Sequence, residues 1–259
     1  MSELLSVSLK PIAPSIEQTS RLTSRLQQRL AKNITDHAGL ITVRVKDGLW
    51  RQLRQGVRYK LLWQGNAGNS VLIEFAPGAA LPVHRHNWLE EGIVLKGGLQ
   101  MDALDLKPFD YHVSPPGSRH AAIRSKQGAL AFLRGTSLGQ TQAVVRELLG
   151  GILPFPGKAA LTCYDNDCDW QEVCPGVLRK ILYVDGNTAS YFYRIQPGGV
   201  APRHEHGLDE ECMMLDGEVF LGDILLRTGD YQLAPAGTVH GDAYSDVGAL
   251  LYVRAKLVV

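Results

Sequence analysis

The first 162 residues contain no cysteine. The four that follow, Cys163, Cys168, Cys174 and Cys212, form no C-x-x-C pair. That excludes a disulfide framework and fits reduced thiols in a cytoplasmic setting. Charge of one sign is also lacking: 27 Lys and Arg stand against 26 Asp and Glu, a net charge of +1. Nucleic acid and acidic membranes need a clustered basic field, so neither is an expected partner. The chain has no uninterrupted apolar run of roughly 18 residues, and no membrane span is predicted. The opening MSELLSVSLKPIAPS lacks a basic stretch feeding an apolar one, so no signal peptide is expected.

What the chain does contain is itself twice. Slid along itself by 120 positions, the sequence realigns without a gap. Trp50 meets Trp170, Gly56-Val57 meets Gly176-Val177, and Lys60 meets Lys180. Pro77-Gly78 meets Pro197-Gly198, and Asp110-Tyr111 meets Asp230-Tyr231. Gly128-Ala129-Leu130 meets Gly248-Ala249-Leu250. The bounds that follow are an extension over 1–40, a first domain over 41–138, a connector over 139–160 and a second domain over 161–259.

Within each copy the pattern is that of strands. NSVLIEFAPG and SYFYRIQPGG end on Pro-Gly turns, GIVLKG and CMMLDG are short apolar runs closed by glycine, and FDYHVSPPG and GDYQLAPAG alternate apolar with polar. Many short strands punctuated by Gly and Pro favour an antiparallel sandwich or jelly roll, and the absence of long helical patterns between them argues against a parallel α/β sheet. Helices are expected only outside the repeats. One lies over SIEQTSRLTSRLQQRLAKN, with Ser15 as N-cap and Ile16, Leu22, Leu26 and Leu30 on one face. The other lies over TQAVVRELLGGI, ahead of the breaker Pro154-Phe155-Pro156-Gly157.

Each copy also carries two histidines at i and i+2, a glutamate, and a distant histidine after a Pro-x-Gly turn. The first set is His84, His86, Glu90 and His120, and the second is His204, His206, Glu210 and His240. Residues i and i+2 of a strand project from one face, so each pair can point into a barrel. The glutamate returns on the next strand and the last histidine on a later one. Three imidazoles and a carboxylate form a borderline donor set suited to Zn, Fe(II), Mn, Ni or Co, with one or two positions open to water, substrate or dioxygen. Glu91 and Glu211 are expected on the opposite strand face. His112, whose counterpart is Gln232, reads as a surface or pocket-lining residue, and His37 as a solvated linker residue. Met213, Met214 and Leu215 read as core, and Cys212 as buried packing. Arg119 and Arg124 read as rim residues. No residue is singled out as catalytic.

These residues resemble the cupin superfamily. Its first motif, G-x5-H-x-H-x3,4-E-x6-G, is matched at every fixed position from Gly78 to Gly97 and from Gly198 to Gly217. The second, G-x5-P-x-G-x2-H-x3-N, is matched by Gly229, Pro235, Gly237 and His240. The first copy carries Phe109 in place of the leading glycine, a change that could make the two sites unequal. Arg124 and Tyr244 replace the final Asn. The W-x5-G-V-x2-K opening and the short spacing between motifs resemble the cupin branch typified by the anti-sigma factor ChrR. The resemblance implies an all-β, double-stranded β-helix (jelly-roll) bicupin with a short N-terminal helical extension. It further implies up to one divalent metal per domain, Zn or Fe(II) foremost, held by the eight residues above. As function it implies a regulatory or sensor module linked to a transcriptional response to oxidative stress. The alternative is an Fe(II)-dependent dioxygenase acting on a small diketone or hydroxy-ketone. A small-molecule ligand, a sigma factor and a second copy of the chain are the partners it suggests. Residues 1–40 carry one histidine, His37, and no cysteine, so they are not expected to form the zinc-binding anti-sigma domain that precedes this cupin in the resembled family.

Overall fold

The structure is a computed structural model that describes residues 13–152, 158–167 and 169–258. The Pro154–Gly157 breaker and Cys168 lie outside the described residues. The chain divides into two units, Met1–Ala38 and Gly39–Val259.

The described part of the first unit is helix α1, Ile16–Asp36. Ser15 opens it with a capping box: its hydroxyl accepts from the Gln18 N–H, and the Gln18 side chain accepts in return from the Ser15 N–H. Leu22, Leu26, Leu30 and Ile34 recur every fourth residue and are exposed. His37 caps the C-terminus, half-buried, with Nδ1 donating to the Asn33 carbonyl at 2.8 Å, rather than lying solvated in a linker.

The second unit holds both repeats, each folded as a jelly roll of antiparallel strands. In the first, a seven-stranded sheet runs in the order 161–163, 111–114, 90–97, 129–136, 68–75, 57–65, 50–54. A four-stranded sheet, in the order 80–81, 123–124, 99–101, 104–106, packs across it. Val57, Ile73 and Phe75 of the large sheet and Leu99, Met101 and Leu106 of the small one form the core of this barrel. Val177, Ile195, Val219, Leu226 and Leu251 do the same in the second. The runs GIVLKG and CMMLDG diverge slightly. The first strand stops at Gly97, whereas Glu210–Leu221 continues past Gly217 to join both sheets of its barrel.

The edge strands are exchanged. Ile41–Val43, at the start of the first repeat, pairs with Tyr231–Ala234 of the second (Thr42 opposite Gln232). Leu161–Cys163, at the start of the second repeat, pairs with Tyr111–Ser114 of the first (Thr162 opposite His112). Between the barrels lies a shared core of Leu72, Phe132, Phe192, Met213, Tyr231 and Tyr252, all at most 1 % exposed, each contributing about 1.5–3 kcal/mol by its burial.

A polar cluster sits inside this shared core. Strand alternation turns Glu90 and Glu210 toward the barrel interiors and Glu91 and Glu211 toward the interface. Glu91 accepts from the Tyr111 hydroxyl at 2.6 Å and from Ser190, and lies 3.4 Å from both Arg134 and Arg254. Glu211 accepts from Tyr231 at 2.7 Å, from Ser70, and from Arg134 Nε at 2.7 Å. Burial, the largest influence, keeps the Tyr111 and Tyr231 phenols well above their ordinary value, so both stay protonated as donors. The repeated lysines are structural too. Lys60 donates to the Val45 and Asp47 carbonyls and Lys180 to those of Tyr164 and Asp167, each closing the loop after an exchanged strand.

Candidate metal centres

In both barrels the two histidine-bearing segments meet as a short antiparallel pair, His84 opposite His120 and His204 opposite His240. The Pro-x-Gly turn fixes that meeting. Gly117 N–H donates to the His86 carbonyl at 2.9 Å and His86 N–H to Ser118 at 3.0 Å; Gly237, His206 and Thr238 repeat both bonds. Phe109, where the motif has glycine, does not alter its turn. It adopts φ of 69° against 88° at Gly229, and its N–H donates to Val94 as that of Gly229 donates to Met214, both at 2.8 Å.

In the second barrel one donor atom from each of His204, His206, Glu210 and His240 lies within 4.8 Å of all the others. The Nε2 atoms of the three imidazoles stand 3.7, 3.5 and 3.9 Å from Glu210. Every Nδ1 donates to a backbone carbonyl: His204 to Pro202 at 3.1 Å, His206 to Thr238 at 2.9 Å and His240 to Gly241 at 2.8 Å. Such bonds fix the tautomer and present the Nε2 lone pairs at one point.

In the first barrel His84, His86 and Glu90 meet the same distance condition, and His120 does not. The His120 ring is near, its centroid 4.6 Å from that of His86, but its Nε2 is hydrogen-bonded to Ser114 Oγ at 2.8 Å. His112 is buried behind it, with ring centroids 5.0 Å apart and Nδ1 bonded to Thr162 Oγ1 at 2.8 Å. It lines the interior rather than the surface.

The electrostatics follow from burial and crowding. Burial alone raises the Glu90 carboxyl, but His86 and His84 beside it bring it down to about 2. Glu210 is likewise held well below its ordinary value, its three histidines outweighing burial. Burial, then His86, lowers His112 to about 4 and His120 to about 3, so both are neutral near pH 7. His86 and His204 are raised, because Glu90 and Glu210 respectively outweigh burial. Both nitrogens of His86 and Nε2 of His206 are buried without a hydrogen-bond partner. Buried imidazole nitrogens are costly to leave unpaired, and orphans of this kind beside a carboxylate fit a cation.

Each cluster opens on an apolar cavity. That of the first barrel, about 450 Å³, is lined by His84, Glu90, Phe75, Leu99, Leu133 and Glu147. That of the second, about 290 Å³, is lined by His204, Glu210, His240, Tyr193, Cys212 and Arg179. Cys212 packs against the core of the second barrel and also lines its cavity, while Met213, Met214 and Leu215 are buried as expected. Glu147 comes from helix α2, Thr141–Ile152, which lies against the His84–Arg85 strand. The approach is so close that a Cβ on Gly151 would stand 2.8 Å from the His84 backbone. Arg85 and Arg119 donate to the Gly150 and Gly151 carbonyls at the helix end, which gives Arg119 a positioning role. Glu147 is buried and accepts from the Asn87 N–H at 3.1 Å and the Ser137 hydroxyl at 2.6 Å; burial, then Glu90, raises its carboxyl. Its signal in the sequence was a lone acid among the apolar residues of TQAVVRELLGGI.

Two barrels, exchanged edge strands and a His/Glu cluster in each define a bicupin. The model of the ChrR cupin-like domain matches residues 38–138 and again 158–258, and the chain belongs to that family. No curated protein matches the sequence. Among solved structures, a Nostoc punctiforme protein provisionally named a dioxygenase superposes with a TM-score of 0.66 at 16% identity, over 84% of this chain and 82% of its own. Lactobacillus farciminis oxalate decarboxylase, in a formate complex, gives 0.60 at 17% over 86% and 88%. AerE from Microcystis aeruginosa gives 0.56 at 20% over 81% and 97%. At such identities the likeness speaks to the fold. Among the described residues no helix is long and apolar enough to cross a membrane.

Proposed function

We propose that the chain is a metal-dependent bicupin that presents a divalent transition metal to a small, largely apolar molecule. His84, His86, Glu90 and His120 would hold one ion and His204, His206, Glu210 and His240 the other. The observation that carries this reading is the placement of each cluster in the wall of an apolar cavity sized for a small ligand. A metal sealed in for stability alone has no need of such a cavity.

The reaction class that fits best is oxygenation of a small diketone or hydroxy-ketone with Fe(II). A bound metal there would supply Lewis acidity and open coordination positions. The protein's part is to bind and to shield. The apolar walls exclude water, Glu90 and Glu210 offset positive charge, and the carbonyl-bonded imidazoles hold their donors in place. The ChrR cupin-like match favours a second reading, a regulatory metal module whose ligand occupancy alters a partner surface; the exposed apolar stripe of α1 is compatible with it.

The test is metal content followed by oxygen uptake. The purified chain, stripped and reloaded with Fe(II), is given an acetylacetone-type diketone in an oxygen electrode. Iron-dependent uptake abolished by His84→Ala or His204→Ala supports the oxygenase. Tight Zn(II) with no uptake supports the regulatory module. A chain that takes up no metal refutes both.

A further inference from the structure

The two clusters differ in how they are held, although the sequence repeats their donors faithfully. In the second barrel all three imidazoles have Nδ1 tied to a carbonyl and Nε2 facing Glu210. In the first, His84 keeps the carbonyl tie, Nδ1 donating to Pro82 at 2.9 Å. His86 turns Nδ1 toward Glu90, 3.6 Å away, and neither of its nitrogens makes a hydrogen bond. His120 spends Nε2 on Ser114.

Three interior positions beside the donors diverge between the repeats. Ser114 stands where the second barrel has Ala234, His112 where it has Gln232, and Gly92 where it has Cys212. All three belong to the paired strands behind the donors, with Ser114 opposite Glu90 and His112 opposite Gly92. Ala234 offers His240 no side-chain hydrogen bond, so the Nε2 of that ring is left to the cluster. Ser114 is 1 % exposed and reaches His120 Nε2 directly. His112 packs its ring 5.0 Å from that of His120 and has a buried, unpartnered Nε2, while a Cβ at Gly92 would stand 3.1 Å from the Leu133 side chain. Phe109, the departure visible in the motif, preserves its turn and does not account for the difference.

We infer that the two centres are unequal: the second barrel is the tight metal site, the first is the weaker and exchangeable one, and Ser114 sets the difference. This rests on the reading that both clusters bind metal. A cation entering the first barrel must take His120 away from Ser114 and rotate its ring, whereas the second barrel is already arranged. Groups just behind metal ligands commonly change affinity by about 10- to 100-fold. The weaker site also opens on the larger cavity, so exchange and ligand access fall in the same barrel.

The experiment titrates the full, metal-stripped chain with Co(II) against a competing chelator, followed by the cobalt d–d absorption. Wild type is expected to bind two equivalents in two steps separated by at least about tenfold. His204→Ala should remove the tight step and His84→Ala the weak one. Ser114→Ala, which installs the residue the second barrel already uses, should strengthen the weak step about tenfold, and Ala234→Ser should weaken the tight one. Two equal equivalents would overturn the inequality while leaving metal binding standing. So would loss of the tight step in His84→Ala, or a weak step that Ser114→Ala leaves unmoved or makes weaker. Absence of any cobalt uptake by the wild type would instead refute the underlying reading as well.

Discussion

Replacing Arg134 with leucine should cost far more than its place in one short strand suggests. The guanidinium reaches across the interface: Nε lies 2.7 Å from Glu211, and Nη1 lies 3.4 Å from Glu91, which is 1 % exposed. At an effective dielectric of about 20, the nearer contact alone corresponds to about 6 kcal/mol of Coulomb attraction. Much of that offsets the desolvation of the charges, so the pair itself is worth little against an apolar substitute. Removal of one partner is different. Arg134→Leu leaves two buried carboxylates with Arg254 as the remaining cation of the cluster, and breaking such a pair costs about 3–5 kcal/mol. Because 21% of the Arg134 side chain is exposed, the lower end of that range is expected. Adding Glu211→Gln removes the stranded charge yet keeps an acceptor for Tyr231 and Ser70, and should recover about 2 kcal/mol. Arg58→Leu provides the comparison, since its ion pair with Glu74 is exposed and should be worth less than about 1 kcal/mol. Urea unfolding of the metal-free chain at pH 7.5 would measure all four, provided the m-value is unchanged. The reasoning fails if Arg134→Leu costs no more than Arg58→Leu, or if the second substitution deepens the loss.

Three further outcomes follow from local geometry. Gly97 has φ of 75°, and a Cβ there would stand 2.0 Å from the Gly128 carbonyl, whereas Gly78 has φ of 80° and open space around it. Gly97→Ala should therefore cost at least about 3 kcal/mol and Gly78→Ala about 1, compared by thermal unfolding. Folded His112 takes up its proton near pH 4 and the unfolded chain near 6.5, so the unfolded state binds more protons between those values, and stability present above pH 6.5 is lost on acidification. Between pH 7.5 and 5 the metal-free wild type should lose about 2 kcal/mol more than His112→Gln; parallel stability curves would contradict this. Thr162→Val strands the other nitrogen of His112 and should cost about 1–3 kcal/mol, with cobalt binding in the second barrel unchanged.

The sequence was most legible where its signals are local or duplicated. The strand runs, the Ser15 cap, the helix over TQAVVRELLGGI and the convergence of His204, His206, Glu210 and His240 all follow from periodicity, turn chemistry and a repeat. The exchange of Ile41–Val43 and Leu161–Cys163 was not legible, because each strand pairs across half a domain or more, and alternation does not name a distant partner. Glu147 was hidden for a related reason: its helix is obvious, but the face it lays on His84–Arg85 is set by the close approach of Gly151. The hold of Ser114 on His120 escaped notice because a serine on an interior strand carries no motif, and its meaning appears only against Ala234. Phe109 misled in the other direction, as a visible break between the two copies of a motif whose backbone the fold retains.

The traded strands mean that neither repeat owns a complete sheet. Cut the chain in the connector and each fragment would carry a bare edge at Tyr111–Ser114 or Tyr231–Ala234, together with a loose segment shaped for the edge it had lost. Two identical fragments could satisfy each other in that way, so a lone half would be driven to find a twin. Tethering the halves makes that meeting intramolecular. It also frees the copies to drift apart in sequence, which is how one of them can carry a serine behind its histidine while the other keeps an alanine.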